Sequence, residues 1–411
     1  MSNKKLFSYA LIFVCFLTVA CQNSDISAPA YSPADLGKTD FQEIEKKSAG
    51  TTVNFAMWAG DEARNRFFQS SVVAELKAKY QINLQIIPLG DTAEAVGKLL
   101  NEKSAGKTTD GSIDIVWING ENFRTAKKGD LLWGNFAGFL PNSKYYDAEA
   151  DRRDFGTDIA GLEAPWQRTQ FVFAYDTART SAAPHDIAAF GEWIKAHPGR
   201  FTYVAPPDFT GSAFLRHVLF YFGGGAKNFQ KFDEQTYAAA AAKTFQFLNE
   251  IKPFLWRRGE TYASSPKELD RLFANGEVDF SFGYGANFAS ERIKRGEYPP
   301  TVRTFLLDAG TVGNYNYLTI PFNAANPAGA LTVINYLMSP EFQIEQSRTL
   351  GSIYPHKLEN LSDAQKKSVA ELERGAATLS NEELDAHSIP EADAEYLERL
   401  EKDWRTQVLV K

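Results

Sequence analysis

Two series of alternating strand and helix patterns, separated by one apolar crossing run, predict an α/β protein built as two lobes. The first series occupies residues 53–118 and the second residues 170–284. The chain then returns to the first lobe through residues 315–321. At 411 residues, a chain normally divides into two domains, each with its own core.

Each element has a local reason. Residues 53–58 (VNFAMW) read as a strand, and residues 62–80 as a helix with Phe67, Val72 and Leu76 on one stripe. Residues 82–89 (INLQIIPL) are a second strand. Asp91 or Thr92 can cap the helix that runs to about Ala105. Residues 113–118 (IDIVWI) form a third, nearly continuous apolar run. Buried strands alternating with helices imply a parallel sheet covered on both faces. In the middle of the chain, residues 170–176 (QFVFAYD), 201–205 and 278–284 (VDFSFGY) read as strands. Residues 187–196, 212–222, 236–249 and 267–275 read as helices. Strands at 302–307 and 317–321 and one long helix at 327–346 follow. Residues 361–405 are helical, polar and charged, and the sequence does not assign them to a lobe. The expected division is 49–168 with 311–358 for lobe one and 169–310 for lobe two.

The N-terminus carries an address. Lys4 and Lys5 precede an apolar run over residues 6–17, and Thr18-Val19-Ala20-Cys21 reads as a cleavage site ending in a cysteine to be acylated. Residues 1–20 are therefore expected to be a lipoprotein signal peptide, with Cys21 lipidated and residues 21–48 a flexible tether rich in Ser, Asp, Ala and Pro. Cys15 and Cys21 are the only cysteines, so no thiol remains for a disulfide, a zinc site or a nucleophile. No later apolar run reaches the length of a membrane span.

The net charge of -7 argues against nucleic acid, which demands a basic face. Enzyme-like motifs also fall short. Residues 101–108 (NEKSAGKT) lack the first glycine of a phosphate loop and follow a helix, whereas that loop must leave a strand. In residues 283–288 (GYGANF), Phe288 replaces the last glycine of a dinucleotide fingerprint. Ser212 lacks the paired glycines of a nucleophile elbow. His185, His197, His217, His356 and His387 show no metal-ligand spacing. The expectation is a protein that is not an enzyme, with no cofactor and no metal.

Several strands instead end in short loops of small polar and aromatic residues just before a helix. These are Trp58 to Asp61, Asn119-Gly120-Glu121-Asn122, the stretch from Ala205 to Ser212, and Gly283 to Asn287. In open α/β sheets, ligands bind outside the carboxyl ends of strands, where helix N-termini present free NH groups.

Glu163-Ala164-Pro165-Trp166, leading into residues 170–176 and ending at Tyr175, resembles the hinge strand of extracytoplasmic solute-binding proteins of ABC importers. Asn326-Pro327-Ala328-Gly329-Ala330 and Ser339-Pro340-Glu341-Phe342-Gln343 resemble that family's ending. Residues 116–123 (VWINGENF) and 206–214 (PPDFTGSAF) are similar to a branch of the type II proteins near the thiamine and iron binders. The resemblance covers about residues 53–353. It implies the type II periplasmic-binding-protein architecture, with crossing hinge strands and lobes that close on a ligand. It also implies an ABC permease as partner, a periplasmic or extracytoplasmic location on the membrane, and action as a monomer.

Within that frame the expected ligand-contacting residues are Trp58, Asp61, Asn119, Glu121, Asn122, Trp166, Asp208, Thr210, Gly211, Ser212, Tyr284, Asn287 and Tyr315. The aromatics Trp58, Trp166, Tyr284 and Tyr315 are either core packing or plates for a planar cation. Asp61, Glu121, Glu163 and Asp208 face only Arg124 and Arg168, which favours a positively charged ligand such as a thiamine-like heterocycle. Thr210, Gly211 and Ser212 could cap a helix and donate to a phosphate ester. Alternatives are ferric iron held by Tyr145 and Tyr146, an oxyanion, or a lipoprotein that docks a partner without transporting anything.

Overall fold

The computed structural model describes residues 32–147 and 152–410. The expected leader and Cys21 lie outside them. A 3-10 turn (Pro33–Lys38) and helix α1 (Phe41–Ser48) come first, and they correct part of the expected tether. Asp40 caps α1 through Gln42, and Phe41 and Ile44, three apart on one helix face, enter a core together with Leu36. Ser48 Oγ bonds Thr332 Oγ1 at 2.9 Å. Residues 33–48 are therefore part of the folded body.

Strand β1 (Thr52–Trp58) leads into helix α2 (Glu62–Phe67), a π-helical turn, and helix α3 (Val73–Tyr80). Strand β2 (Asn83–Leu89), helix α4 (Thr92–Ser104), strand β3 (Ile115–Ile118) and helix α5 (Gly120–Lys128) complete the first series. Asp91 and Glu94 form the capping box of α4. β1 pairs in parallel with both β2 and β3, as the buried apolar runs predict.

A hairpin of strands β4 (Arg153–Asp154) and β5 (Thr157–Asp158) precedes the 14-residue strand β6 (Glu163–Asp176). Helices α6 (Ile187–Ala196), α7 (Phe209–Phe222), α8 (Glu234–Ile251) and α9 (Pro266–Ala274) follow. Then come strand β7 (Phe280–Tyr284), helix α10 (Phe288–Lys294), strand β8 (Val302–Phe305) and strand β9 (Thr311–Thr319). The main sheet runs β2-β1-β3-β9-β6-β7, with β8 also on β6. β9 is antiparallel to β3 and to the first half of β6, whereas the second half of β6 pairs with β7 and β8. β6 and β9 are thus the two strands that cross between the lobes. Their register shifts between Pro165 and Gln167, beside a residue that has no NH to offer a ladder.

Two expected elements differ. Residues 201–204 are buried, but among the described residues the 201–205 stretch makes only one isolated bridge, Val204 to Ala263. Their neighbour is the irregular segment holding Arg257 and Arg258, both left-handed at φ 50° and 58°, so no ladder can propagate. The single long helix expected at 327–346 is two helices, α11 (Pro327–Leu337) and α12 (Pro340–Leu350). Pro340 lacks the NH that would continue the first, and Ser339 caps the second through Phe342.

The tail is placed by the structure. Helix α13 (Asp363–Ala370) packs on α12, while helix α14 (Asn381–Ala386), strand β10 (Ser388–Ile389) and helix α15 (Ala394–Trp404) belong to the second lobe. β10 extends the sheet beside Thr311 and Val312. The buried Trp404 indole donates to the Tyr203 hydroxyl at 2.9 Å. One core gathers Phe55, Phe68, Trp166, Leu318 and Leu331; the other gathers Phe173, Phe214, Phe282, Tyr396 and Trp404. No helix among the described residues is long and apolar enough to cross a membrane.

Candidate ligand-binding site

The loops at the strand ends meet where α5, the β4–β5 hairpin, α7, β7, β9 and the tail converge. At the centre is Arg216, near the middle of α7 and without solvent exposure. Its Nε and Nη2 donate to the two carboxylate oxygens of Glu391 at 2.8 and 3.1 Å, and Nη2 also reaches the Tyr284 hydroxyl at 3.0 Å. The Tyr284 hydroxyl donates a hydrogen bond to Glu391 at 2.7 Å, and Asn314 Nδ2 approaches the same oxygen at 3.4 Å. The guanidinium carbon lies 5.5 Å from the ring centre of Phe155 and 5.7 Å from that of Phe209, one ring from each lobe. Burial opposes the charge on Arg216, but Glu391, Tyr284 and Glu401 together hold its pKa above the ordinary value.

Around this neutralised arginine stand carboxyl groups with little cationic company. Gly120, at φ +61°, turns its NH to Asp154 Oδ2 at 2.6 Å, and Asp154 is buried with Oδ1 unpartnered among the described residues. Burial, then the charges of Glu121 and Glu391, push Asp154 well above the usual carboxylate range. Glu121, in the first turn of α5, is raised chiefly by burial. Glu401, on α15, accepts from Ser212 Oγ at 2.5 Å and is pushed up to about 7, again mainly by burial. Deeper in the first lobe Glu163 is fully buried with both oxygens unpartnered among the described residues, and it too is raised well above its ordinary value by burial and then by Asp154. Glu398 of α15 pairs with Arg124 of α5, tying the tail to the first lobe.

Several expected contacts have other duties. Trp166 is fully buried, edge-on to Trp117 at 5.1 Å and to Phe68 at 5.9 Å. It packs the first core and is not a stacking plate. Trp58 is the exposed indole, 40% accessible at the end of β1 and edge-on to Trp117 at 6.3 Å. Asp61 caps α2 through Ala63 and Arg64. Asp208 caps α7 through the NH groups of Thr210 and Gly211, so those two donors are already committed and the phosphate-ester role expected of them is displaced. Gly211 answers to packing, because a Cβ there would lie 2.1 Å from Val204 O. Ser212 and Tyr284 do reach the network. Asn119 Nδ2 meets Asn316 Oδ1 at 3.3 Å, Asn122 is half-buried on α5, and Asn287 bridges the lobes through Leu350 O at 2.6 Å. Tyr315 donates to Pro355 O at 3.1 Å and lies near Tyr146. Tyr146 is buried with its hydroxyl on Trp166 O, and Tyr145 stacks on His356, which displaces the tyrosinate reading. The sequence reading missed Asp154, Phe155, Arg216, Glu391 and Glu401. A charged residue in the apolar stretch of α7 was the one signal that could have marked Arg216.

A two-lobed α/β body whose crossing strands underlie a polar interlobe site defines a solute-binding architecture. The chain belongs to the bacterial extracellular solute-binding protein family, whose model matches residues 71–373. It is similar to Protein YnjB of Escherichia coli, 37% identical over 335 residues that cover 80% of this chain and 86% of the relative. A shorter match, 31% over 98 residues, links it to the putrescine-binding periplasmic protein SpuD of Pseudomonas aeruginosa, covering 23% of this chain and 25% of that one. In fold it is similar to the spermidine/putrescine ABC transporter substrate-binding protein PotD of Streptococcus pneumoniae. That match has a TM-score of 0.61 and 14% identity, covering 87% of this chain and 99% of the other.

Proposed function

We propose that this protein captures a small organic cation between its lobes and presents it to an ABC permease, acting as a monomer held at the membrane by an acylated Cys21. The observation that carries the ligand class is the convergence of Asp154, Glu121 and Glu401, from three separate segments, on a single arginine already neutralised by Glu391. Carboxyl groups raised in this way lack a counter-ion, and a bound cation supplies one. Trp58 adds an exposed aromatic face, worth about 0.5–2 kcal/mol against a cation. That face favours a thiamine-like heterocycle over a simple metal ion. The polyamine-related names of SpuD and PotD are in keeping with a cationic ligand.

Calorimetry with thiamine, thiamine monophosphate, putrescine, spermidine, ferric ion and phosphate tests the reading. Cations should bind, and Glu121→Gln should weaken them about tenfold or more. Binding of phosphate alone would overturn it. For the anchor, Cys21→Ala should leave the protein without acyl chains and released on fractionation; acylation persisting in that variant would rule out the lipidation site.

A further inference from the structure

The buried atoms that lack partners carry more information than the charge balance. Arg216 spends one edge of its planar fork, Nε and Nη2, on Glu391, while its remaining nitrogen, Nη1, is buried with no partner among the described residues. Two buried oxygens nearby are also unpartnered, the first of them an acceptor once a bound cation ionises its carboxyl. One is Asp154 Oδ1, on the residue preceding the Phe155 ring that faces the guanidinium. The other is Oδ1 of Asn314, whose amide nitrogen is turned to Glu391. Buried polar atoms are nearly always satisfied, and each orphan is destabilising until something meets it.

We infer that the ligand is not a bare polycation but carries an oxygen acceptor close to its cationic nitrogen, the nitrogen serving Asp154 and Asn314 and the oxygen serving Nη1 of Arg216. This inference rests on the cation capture proposed above and deepens it. A ligand offering only N–H donors satisfies the two acceptors, leaves Nη1 unpaired and brings positive charge towards the guanidinium. A ligand offering only oxyanions satisfies Nη1 but meets Asp154, Glu121 and Glu401. A mixed ligand answers all three orphans at once. Because Glu391 already neutralises Arg216, the acceptor need not be strongly charged, and a hydroxyl or carbonyl is enough. The class is an amine or heterocyclic cation with a neighbouring hydroxyl, carbonyl or carboxylate. A site built around buried hydrogen-bonding atoms discriminates strongly against analogues that leave one of them empty. Glu391 and Glu401 lie in the tail, beyond the residues matched by the family model, so this selectivity is built partly by the C-terminal segment.

Three sets of probes decide the matter by calorimetry on the full chain. Putrescine and spermidine are donor-only, phosphate and glutarate acceptor-only, and thiamine, pyridoxamine and 4-aminobutanoate mixed. The expected result is a mixed probe bound about ten- to a hundredfold tighter than any member of the other sets. Arg216→Lys, which keeps the charge but loses the fork, should shrink that preference to about threefold or less. If putrescine or spermidine binds tightest, this inference falls and cation capture stands. If phosphate or glutarate binds tightest, or nothing binds, both fall. An unchanged preference in folded Arg216→Lys would also overturn it. The wild-type ranking remains decisive even where the variant does not fold.

Discussion

Arg216 and Glu391, 175 residues apart in the chain, form a two-point ion pair to which solvent has almost no access: the side chains are 0% and 3% exposed. The pair joins α7 of the second lobe to the tail just before α15, and it sets the charge of the interlobe site. A lone guanidinium there would repel a cation; paired, it leaves the surrounding carboxyls to dominate.

Breaking that pair from one side should be costly. Glu391→Ala leaves a buried, uncompensated guanidinium and should destabilise the protein by about 3–5 kcal/mol, read from the denaturant midpoint. Replacing Arg216 and Glu391 together with apolar residues of similar volume should cost much less. A single variant within about 1 kcal/mol of wild type would mean that water reaches the pair.

The two indoles should separate stability from binding. Trp166→Ala removes a fully buried side chain and should cost about 3–5 kcal/mol. Trp58→Ala should leave the melting temperature near that of wild type yet weaken a heterocyclic cation about two- to thirtyfold. Wild-type affinity for thiamine and putrescine in Trp58→Ala would remove this residue from the site.

Much of the scaffold was legible because it is written locally. Apolar runs mark β1, β3 and β6, and Asp91 stands where a cap belongs. The site was legible only in part. Loops after strands pointed to Glu121, Ser212 and Tyr284, but their partners come from distant segments. Glu391 and Glu401 sit in a polar tail whose short helices carry no positional signal. Asp154 lies in a charged stretch that looks like surface until the β4–β5 hairpin folds under α5. The same locality misled at Phe41 and Ile44, where a tether-like composition hid a helical spacing, and at Trp166, where a hinge position concealed a core side chain.

Gly211 offers a test of close packing between α7 and the extended segment before it. The Cβ of an alanine there would lie 2.1 Å from Val204 O, a backbone atom that cannot swing aside. Gly211→Ala should therefore cost about 1–3 kcal/mol or more and shift α7, carrying Ser212 and Arg216 with it. Loss of ligand affinity should accompany the drop in melting temperature. A crystal structure of the variant with α7 unmoved would refute the packing role.

Glu401 should make both stability and binding depend on pH. Burial lifts its carboxyl from an ordinary 4.5 to about 7. Ser212 and Arg216 oppose that rise, while Glu121 of α5 and Glu398 of its own helix add to it. The folded state therefore holds the proton more tightly than the unfolded chain. The resulting stability is fully present below about pH 4.5 and is lost as pH rises through about 7, amounting to at most about 3 kcal/mol and less after solvent screening. Glu121, raised in the same direction, should add to the trend. A cationic ligand reverses the preference, because it favours the ionised carboxylate. Affinity should therefore rise as pH increases through about 7, and binding near neutral pH should expel a fraction of a proton. Calorimetry in two buffers of different ionisation enthalpy measures that proton directly. Glu401→Gln should remove most of the release and flatten the pH profile of the ligand-free protein. Proton uptake on binding, or a release unchanged in Glu401→Gln, would show that this carboxyl is not the group that answers the ligand.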